Sequence, residues 1–245
     1  MQRPLTFVEY LRNAVAIPFF LISLFIASIF ITIVIPLSFG KATNWLVKHV
    51  APALGRPVLF LLGIKFRVND LRDDKEQPVI FLFNHSSTLD IPAMLSLALS
   101  KIRIVVKWEL QYIPFFFIIG RLTGQVFIKR KNKKHSISTI KKTYSRLKKN
   151  KLNVVIAPEG SRKHKGKIGA FKKGAFRMAI DLGYPIVPIY FDGNSELSYG
   201  GSLLSKSGEI VATIHPPIDT SSWKLETLDE HVAEVRQLYL QWAEK

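Results

Sequence analysis

The stretch from Asn13 to Gly40 contains no charged side chain, and it limits the folds open to this chain more than any other feature does. A helix that crosses a membrane needs about 20 consecutive apolar residues, whereas buried helices of soluble proteins are rarely so long and so uniformly apolar. A cleaved signal peptide is the alternative. Its apolar region is normally about 7 to 15 residues long and ends at a small-x-small site, which this stretch does not show cleanly. The stretch therefore predicts an N-terminal helical membrane anchor.

The residues around this stretch indicate how the anchor sits in the membrane. Arg12 precedes it and Lys41 follows it, so a single span would place one basic flank on the unfavoured side of the bilayer. Pro18 and Pro36 are expected to kink or end a helix, which leaves a segment at the short limit for crossing. We therefore expect an anchor embedded in one leaflet, with the rest of the chain on the cytoplasmic face. A single span is the alternative.

The charge balance points to an anionic partner. The chain has 35 Lys and Arg residues against 18 Asp and Glu residues, a formal net charge of +17. Such a surface attracts nucleic acid or the acidic face of a membrane, unless it only reflects a basic proteome. The predicted anchor favours the anionic membrane surface, so nucleic acid is not the expected partner. A membrane-tethered nucleic-acid-binding protein remains an alternative. The chain has no cysteine, which excludes thiol catalysis and cysteine-built metal sites.

Beyond the anchor, the sequence alternates between two patterns. Residues 42–66 are apolar with interspersed basic side chains, which predicts an amphipathic helical connector. Six short β-branched or aromatic runs then predict buried strands: 78–83, 102–106, 125–129, 153–157, 185–191 and 209–214. Helical patterns between or after them predict helices: 91–100, 136–149, 171–182 and 225–242. We expect residues 1–66 to form a membrane-anchoring helical region and residues 67–245 an α/β domain, with a mostly parallel central sheet flanked by helices.

The stretch FLFNHSSTLD, residues 81–90, brings a histidine and a carboxylate to the end of a predicted strand. On one regular helix, His85 and Asp90 would diverge by about 140°, so they can meet only if residues 84–89 form a turn before the helix that Pro92 helps to start. A carboxylate that accepts from one imidazole nitrogen leaves the other nitrogen as a base, as in a Ser-His-Asp triad. The serine is missing, and a hydroxyl of the substrate can take its place. This pattern favours acyl transfer to an alcohol without a covalent acyl-enzyme.

Other interpretations of the same residues stay open at this point. Asp90 alone is a reasonable N-cap residue, and His85 alone a hydrogen-bonded structural histidine. Metal binding by the pair requires a third ligand, and the sequence has no H-x-x-x-H pattern or acidic cluster that supplies one. The spacing of the pair by itself is therefore weak evidence for catalysis.

A second polar stretch, APEGSR, follows another predicted strand. Because the carboxyl ends of parallel strands line the ligand crevice of an α/β sheet, both stretches are expected at one site. Glu159 opens the polar part of this stretch, Gly160 allows close backbone approach, Ser161 offers a hydroxyl, and Arg162 has a guanidinium suited to phosphate. Arg130, at the end of a third strand, is a second candidate cation. Solvated loop charges are the alternative for both arginines.

These residues resemble the motifs of a known family. The stretch NHSSTLD is similar to the N-H-x-x-x-x-D block of the glycerolipid acyltransferases, above all the lysophosphatidic acid acyltransferases (1-acyl-sn-glycerol-3-phosphate acyltransferases). GQVFIKR, APEGSR and PIVPI resemble the second, third and fourth blocks, and all four occur in the family's order within residues 78–190. The K-x-E-L pattern that begins at Lys107 is also found in that family.

The resemblance implies a set of roles. His85 becomes the general base on the acceptor hydroxyl, and Asp90 orients it. The residues implied at the substrate site are Arg130, Glu159, Gly160, Ser161, Arg162 and Lys107, with the arginines on the glycerol phosphate. The implied reaction moves an acyl group from acyl-CoA or acyl–acyl carrier protein to the sn-2 hydroxyl of lysophosphatidic acid, a membrane lipid, and gives phosphatidic acid. It requires no metal and no further cofactor. Glycerol 3-phosphate or another lysophospholipid is the alternative acceptor.

Overall fold

The segment predicted to be a membrane anchor forms one long helix in the computed structural model, which describes residues 3–73, 78–129, 133–162, 167–198 and 200–244. Helix α1 (Phe7–Leu37) begins after a capping box. The Thr6 hydroxyl accepts the Glu9 N–H at 3.3 Å, and the Glu9 carboxylate accepts the Thr6 N–H at 2.8 Å. Among the described residues, α1 is the one helix whose length and mean hydropathy (2.7) would allow it to cross a membrane.

Pro18 does not end this helix. The sequence predicts a kink or an end at that residue, but α1 continues through Pro18 and Pro36 and stops at Leu37. A proline inside a helix removes one backbone hydrogen bond and costs about 3 kcal/mol. Ala16 and Leu24, on either side of Pro18, are both buried. Burial of these two side chains is favourable and contributes packing on both sides of the proline.

Helix α2 (Thr43–Leu61) returns antiparallel to α1, so the two helices form a hairpin. The start of α1 and the end of α2 meet at Ser207, whose hydroxyl accepts from Arg12 at 2.7 Å and donates to the Leu62 carbonyl at 2.9 Å. The connector expected over residues 42–66 is therefore helical only to Leu61. The residues after Gly63 pair with a strand close to the C-terminus of the chain and form the first strand of the sheet.

The sheet has seven strands in the order β1-β7-β6-β2-β5-β3-β4. All neighbours are parallel except β6 and β7, so β7 and β1 run against the other five strands. The strands are β1 (Ile64–Asp70), β2 (Ile80–Phe83), β3 (Ile102–Lys107), β4 (Val126–Ile128), β5 (Asn153–Ile156), β6 (Ile186–Asp192) and β7 (Gly208–Ile214). The six predicted strands are all present, and β1 is the additional one. The predicted α/β class with a mostly parallel sheet is confirmed.

Helices cover both faces of the sheet. The remaining helices are α3 (Asp90–Ser96), a 3-10 helix (Trp108–Tyr112), α4 (Pro114–Leu122), α5 (Lys133–Lys149), α6 (Gly174–Leu182), α7 (Asn194–Leu197) and α8 (Leu228–Ala243). Successive residues of β2 point to opposite faces. Ile80 and Leu82 pack with residues of α5, α6 and α8, and Phe81 and Phe83 pack with residues of α1, α2 and α3. The helical hairpin therefore forms part of the covering layer on one face.

The start of α1 is fixed to the domain by a reciprocal pair of hydrogen bonds. The Asn13 side chain donates to the Ser205 carbonyl at 2.7 Å and accepts the Ser205 N–H at 2.9 Å. Near the C-terminal end of α1, Ile31 and Ile35 pack with Ile119 of α4. The hairpin thus contacts the α/β domain at both ends. The boundary between residues 66 and 67 stays a prediction.

Candidate active site

Five parallel strands end at the same edge of the sheet, and the predicted motifs follow three of them. The loop with His85 follows β2, the stretch with Glu159 follows β5, and Lys107 is the last residue of β3. Strand β2 lies between β6 and β5. The residues that follow β6, β2 and β5 are therefore neighbours.

Asn84 fixes the direction in which the chain leaves β2. Its side chain donates to the Phe191 carbonyl at 2.9 Å and accepts the Phe191 N–H at 2.8 Å. These two bonds reproduce the pairing of a backbone amide and extend the contact between β2 and β6 beyond the last paired residue of β2. The next residue, His85, is held at the edge of the sheet.

His85 and Asp90 form a hydrogen bond, with 2.7 Å between Nδ1 of the histidine and Oδ2 of the aspartate. The residues between them form a turn in which the Leu89 N–H donates to the Ser87 hydroxyl at 3.1 Å, and Asp90 is the first residue of α3. The imidazole also packs edge-on against the Phe83 ring at 5.5 Å. The predicted turn between the two residues is therefore present.

Donors surround the buried carboxylate of Asp90. It is 1% exposed, its Oδ2 accepts the Ser87 N–H at 3.1 Å, and its Oδ1 accepts from the Asn194 side chain. Burial raises the pKa of the Asp90 carboxyl, while the bonds from His85, Ser87 and Asn194 favour its charged form. Ser87 lies before α3. The Asp90 side chain therefore bonds to the loop that precedes this helix and not to the N–H groups of the helix's first turn. The N-cap interpretation does not describe this geometry.

Asn194 is a site residue that the sequence argument missed. It is 1% exposed, and its side-chain oxygen accepts from the Ser86 hydroxyl at 3.2 Å while its nitrogen donates to Asp90. A signal was available, because Asn194 is a polar residue just after the carboxyl end of β6, at the same edge as the other motifs. That it faces Asp90 follows only from the position of β6 beside β2.

Glu159 joins the loops after β2 and β5. One carboxylate oxygen accepts the His85 N–H at 2.8 Å and the other accepts the Gly169 N–H at 2.8 Å. The residue is 2% exposed. The burial and the two backbone bonds favour a positioning role for Glu159 over the substrate contact that the resemblance implies.

The rest of this stretch brings a cation beside the histidine loop. Gly160 has a φ of +68°, a left-handed conformation that favours glycine. Ser161 and Arg162 are half-buried. The Arg162 guanidinium donates to the Thr88 hydroxyl at 3.1 Å, so it lies within the turn region between His85 and Asp90.

Lys107 is less closely tied to this site than Arg162 is. Lys107 is exposed at the end of β3, with its Nζ 3.5 Å from a Glu109 oxygen. Because β5 separates β3 from β2, Lys107 lies two strands away from the histidine loop. Arg130 lies outside the described residues. Within the part of the chain that the structure describes, no three His, Asp or Glu side chains are grouped so that they could hold a metal ion.

The geometry suits proton abstraction at the sheet edge. An ionised carboxylate only accepts hydrogen bonds, so Asp90 selects the tautomer of His85 that carries its proton on Nδ1. The lone pair is then on Nε2. The His85 side chain is 15% exposed, so a hydroxyl group that enters from the surface can reach it.

Comparisons with known proteins identify the relatives of this chain. A family model described as Acyltransferase matches residues 65–192, slightly more than half of the chain. A 1-acyl-sn-glycerol-3-phosphate acyltransferase from Salmonella typhimurium is 30% identical over 195 residues, 78% of each protein. A putative protein of that name from Caenorhabditis elegans is 31% identical over 156 residues (63% of this chain), and one from Saccharomyces cerevisiae is 30% identical over 178 residues (72% of this chain). The matches span only 55% and 59% of those two relatives.

A solved structure resembles the whole chain. The crystal structure of the 1-acyl-sn-glycerophosphate (LPA) acyltransferase from Thermotoga maritima superposes with a TM-score of 0.74 at 26% identity, and it covers 96% of this chain and 98% of the other. The range that the family model matches, residues 65–192, includes His85, Asp90 and Arg162. The chain therefore belongs to the Acyltransferase family.

Proposed function

We propose that the protein transfers a fatty acyl group from an acyl thioester to the sn-2 hydroxyl of lysophosphatidic acid and so produces phosphatidic acid. The observation that carries this proposal is the hydrogen-bonded pair of His85 and Asp90 beside the Arg162 guanidinium. A base next to a phosphate-binding group suits an acceptor that has both a hydroxyl and a phosphate. The names of the relatives from bacteria, yeast and nematode support the same acceptor.

The proposed step is a direct transfer. The acceptor oxygen attacks the thioester carbonyl carbon while His85 Nε2 takes the hydroxyl proton, and the carbonyl electrons move onto oxygen. When this intermediate collapses, the carbon–sulfur bond breaks, and the imidazolium gives its proton to the departing thiolate. Asp90 stabilises the imidazolium between the two proton transfers. The atoms balance with the thioester and the alcohol alone, so the proposal includes no metal and no acyl-enzyme, and either acyl-CoA or acyl–acyl carrier protein serves as donor.

The acceptor is tested with purified protein and a panel of alcohols. Release of free thiol from acyl-CoA is followed with lysophosphatidic acid, glycerol 3-phosphate and lysophosphatidylcholine as acceptors, and the lipid product is identified. We expect the highest kcat/KM with lysophosphatidic acid. A higher kcat/KM with glycerol 3-phosphate or lysophosphatidylcholine would replace this assignment.

Replacing Arg162 with lysine is expected to raise the KM for the acceptor and to leave the KM for the thioester little changed. Lysine keeps the charge but loses the paired N–H groups with which a guanidinium binds phosphate. Initial rates at varied concentrations of each substrate measure both constants. Arg67→Lys is a matched control, because Arg67 is an exposed residue on the edge strand β1. A change confined to the thioester KM would assign Arg162 to the donor site instead.

The structure supports an anchor that lies in one leaflet. The contacts of α1 with Ser205 near its start and with α4 near its end hold the domain alongside the helix. A crossing α1 would carry α4 into the bilayer. The outer side of α1 exposes apolar residues along its whole length, among them Val15, Ile22, Ile26 and Ile33. Burial of this side in the cytoplasmic leaflet needs no crossing and keeps the domain at the membrane surface.

The topology is tested with single cysteines, because the chain has none of its own. We expect a cysteine at Gln2 and one at Glu244 to be protected from a membrane-impermeant thiol reagent in intact cells, and both to react after permeabilisation. The second variant reports the side on which the α/β domain lies. Labelling of the Gln2 variant alone from outside would show a single span, and labelling of both would place the domain on the outer face.

A further inference from the structure

A cavity of about 250 Å³ lies where the tip of the helical hairpin meets the α/β domain. Asn44 contributes to it from the start of α2, Arg103 from β3, Arg121 from α4 and Arg146 from α5. Its volume is slightly below that of most small-molecule sites, about 300–1,000 Å³, and fits a headgroup-sized ligand better than a whole lipid.

This cavity is distinct from the site at His85. Arg103 is the second residue of β3, and its register partner Val154 also pairs with Ile80 of β2. His85 lies five residues beyond Ile80, which is about 16 Å along the strand direction. The cavity is therefore at the opposite edge of the sheet, where the parallel strands begin.

Arg103 is the innermost cation of the cavity. It is only 6% exposed, and its guanidinium donates to the Ile102 carbonyl at 2.8 Å and to the Asn44 side chain at 3.1 Å. Among the described residues, its Nε–H is a buried donor without a hydrogen-bond partner. Burial, and secondly the charge of Arg146, lower the pKa of Arg103 to about 10. A buried cation and an unsatisfied donor are both unfavourable unless an acceptor reaches them.

The side chains of Arg146 and Arg103 both point at the turn that contains Gly124. Arg146 donates to the Gly124 carbonyl at 2.8 Å. A Cβ placed on Gly124 would lie 2.9 Å from a terminal nitrogen of Arg146 and 3.4 Å from Nε of Arg103, so the two guanidiniums converge on one small volume. Of the described residues that line the cavity, none is an aspartate or a glutamate. The converging charges repel each other, and the cavity walls provide no anion that compensates them.

We propose that this cavity binds the phosphate group of a membrane lipid headgroup. Guanidiniums from separate elements present several N–H donors to one point, an arrangement suited to an oxyanion with three or more acceptor oxygens. The tip of the hairpin also exposes Phe39 (92%) and Trp45 (58%). These side chains are expected to enter the bilayer interface, which brings lipid phosphates within reach of the cavity. A bound phosphate would link the hairpin tip to β3 and α5, independently of the acyl transfer reaction.

The first arm of the test uses inorganic phosphate on the full-length protein in neutral detergent. We expect phosphate to raise the unfolding temperature above that in sodium chloride of equal ionic strength, by about 3–6 °C at a concentration tenfold above its dissociation constant. Arg146→Gln is expected to weaken this binding at least about tenfold, because a charged hydrogen bond is lost. The variant should fold, since Arg146 is exposed.

Lys148→Gln is the matched control. Lys148 is also exposed on α5, but it lies two residues further along the helix and projects about 200° away from Arg146. Its removal lowers the net charge equally and should leave phosphate binding unchanged. Phosphate that stabilises the protein no more than chloride does would overturn the site, and so would equal losses in the two variants.

The second arm tests the lipid source with vesicle flotation. Vesicles of digalactosyldiacylglycerol, a neutral lipid without phosphate, that contain phosphatidic acid are compared with vesicles of the same lipid that contain oleate at the same surface charge. We expect the protein to prefer the phosphatidic acid vesicles, the Arg146→Gln variant to lose this preference, and Lys148→Gln to keep it. If inorganic phosphate binds at Arg146 but the protein shows no preference between the vesicles, the lipid assignment is wrong.

Discussion

Replacing His85 with alanine is expected to lower kcat by at least about 100-fold while the protein remains folded. General acid–base catalysis contributes typically about 10²–10⁴-fold, and the proposed step uses the imidazole twice, on the attacking hydroxyl and on the departing thiolate. Asp90 keeps its bonds from Ser87 and Asn194 in this variant, so the turn retains its supports. Thiol release from acyl-CoA measures kcat, and thermal unfolding shows whether the variant is folded.

A control substitution separates loss of the base from loss of a histidine in general. His49 is exposed on α2 and its ring contacts that of Trp45, with 4.8 Å between the ring centroids and a tilt of 38°, remote from the edge where His85 lies. We expect His49→Ala to keep the wild-type kcat. A folded His85→Ala variant that keeps most of its activity would refute the general-base mechanism.

The meeting of His85 and Asp90 was predictable because the relevant information is local. Ser86, Ser87 and Thr88 are turn formers, and Pro92 is suited to the first turn of the helix that follows. These residues favour a turn followed by a helix. The structure adds only the bond itself, at 2.7 Å.

The supports of that pair were not predictable, because they come from distant parts of the chain. Asn194 is 104 residues from Asp90, and Glu159 is 74 residues from His85. Their contacts depend on the strand order, with β6 and β5 on either side of β2. The sequence indicates that these strands are parallel and buried, but it does not give their order. For Glu159 the resemblance implies a substrate contact, whereas its carboxylate accepts two backbone N–H groups in the structure.

Strand β1, the 3-10 helix, α4 and α7 are not predicted from the sequence, and two of these elements show different reasons. Strand β1 (Ile64–Asp70) is mostly exposed, so its sequence lacks the apolar run that marks a buried strand, and it is stabilised by pairing with β7. Helix α4 did have a local signal, since Pro114 is its first residue, a position that proline favours. Pro18 shows the converse, because α1 continues through this residue although proline locally disfavours a helix interior.

Replacing Asp90 with asparagine is expected to lower kcat by about 10²-fold or more and to change the KM for the acceptor little. In the wild-type protein, Asp90 accepts from His85, Ser87 and Asn194. An asparagine keeps one accepting oxygen, and if this oxygen faces Ser87 and His85, its amide nitrogen faces Asn194. Rotation of the Asn194 amide then restores that contact, so the fold is expected to survive. The charge that stabilises the imidazolium is lost in either case.

The double variant His85→Ala/Asp90→Asn distinguishes this role from a purely structural one. If Asp90 acts only through His85, its replacement has nothing further to remove once the imidazole is absent. We therefore expect the double variant to have the same kcat as His85→Ala, measured with saturating acceptor and thioester. Multiplied losses in the double variant would show instead that Asp90 supports the architecture of the site independently of the base. The same reasoning applies to Asn194, which donates to the Asp90 carboxylate. We expect Asn194→Ala to lower kcat when His85 is present and to have no further effect in the His85→Ala variant.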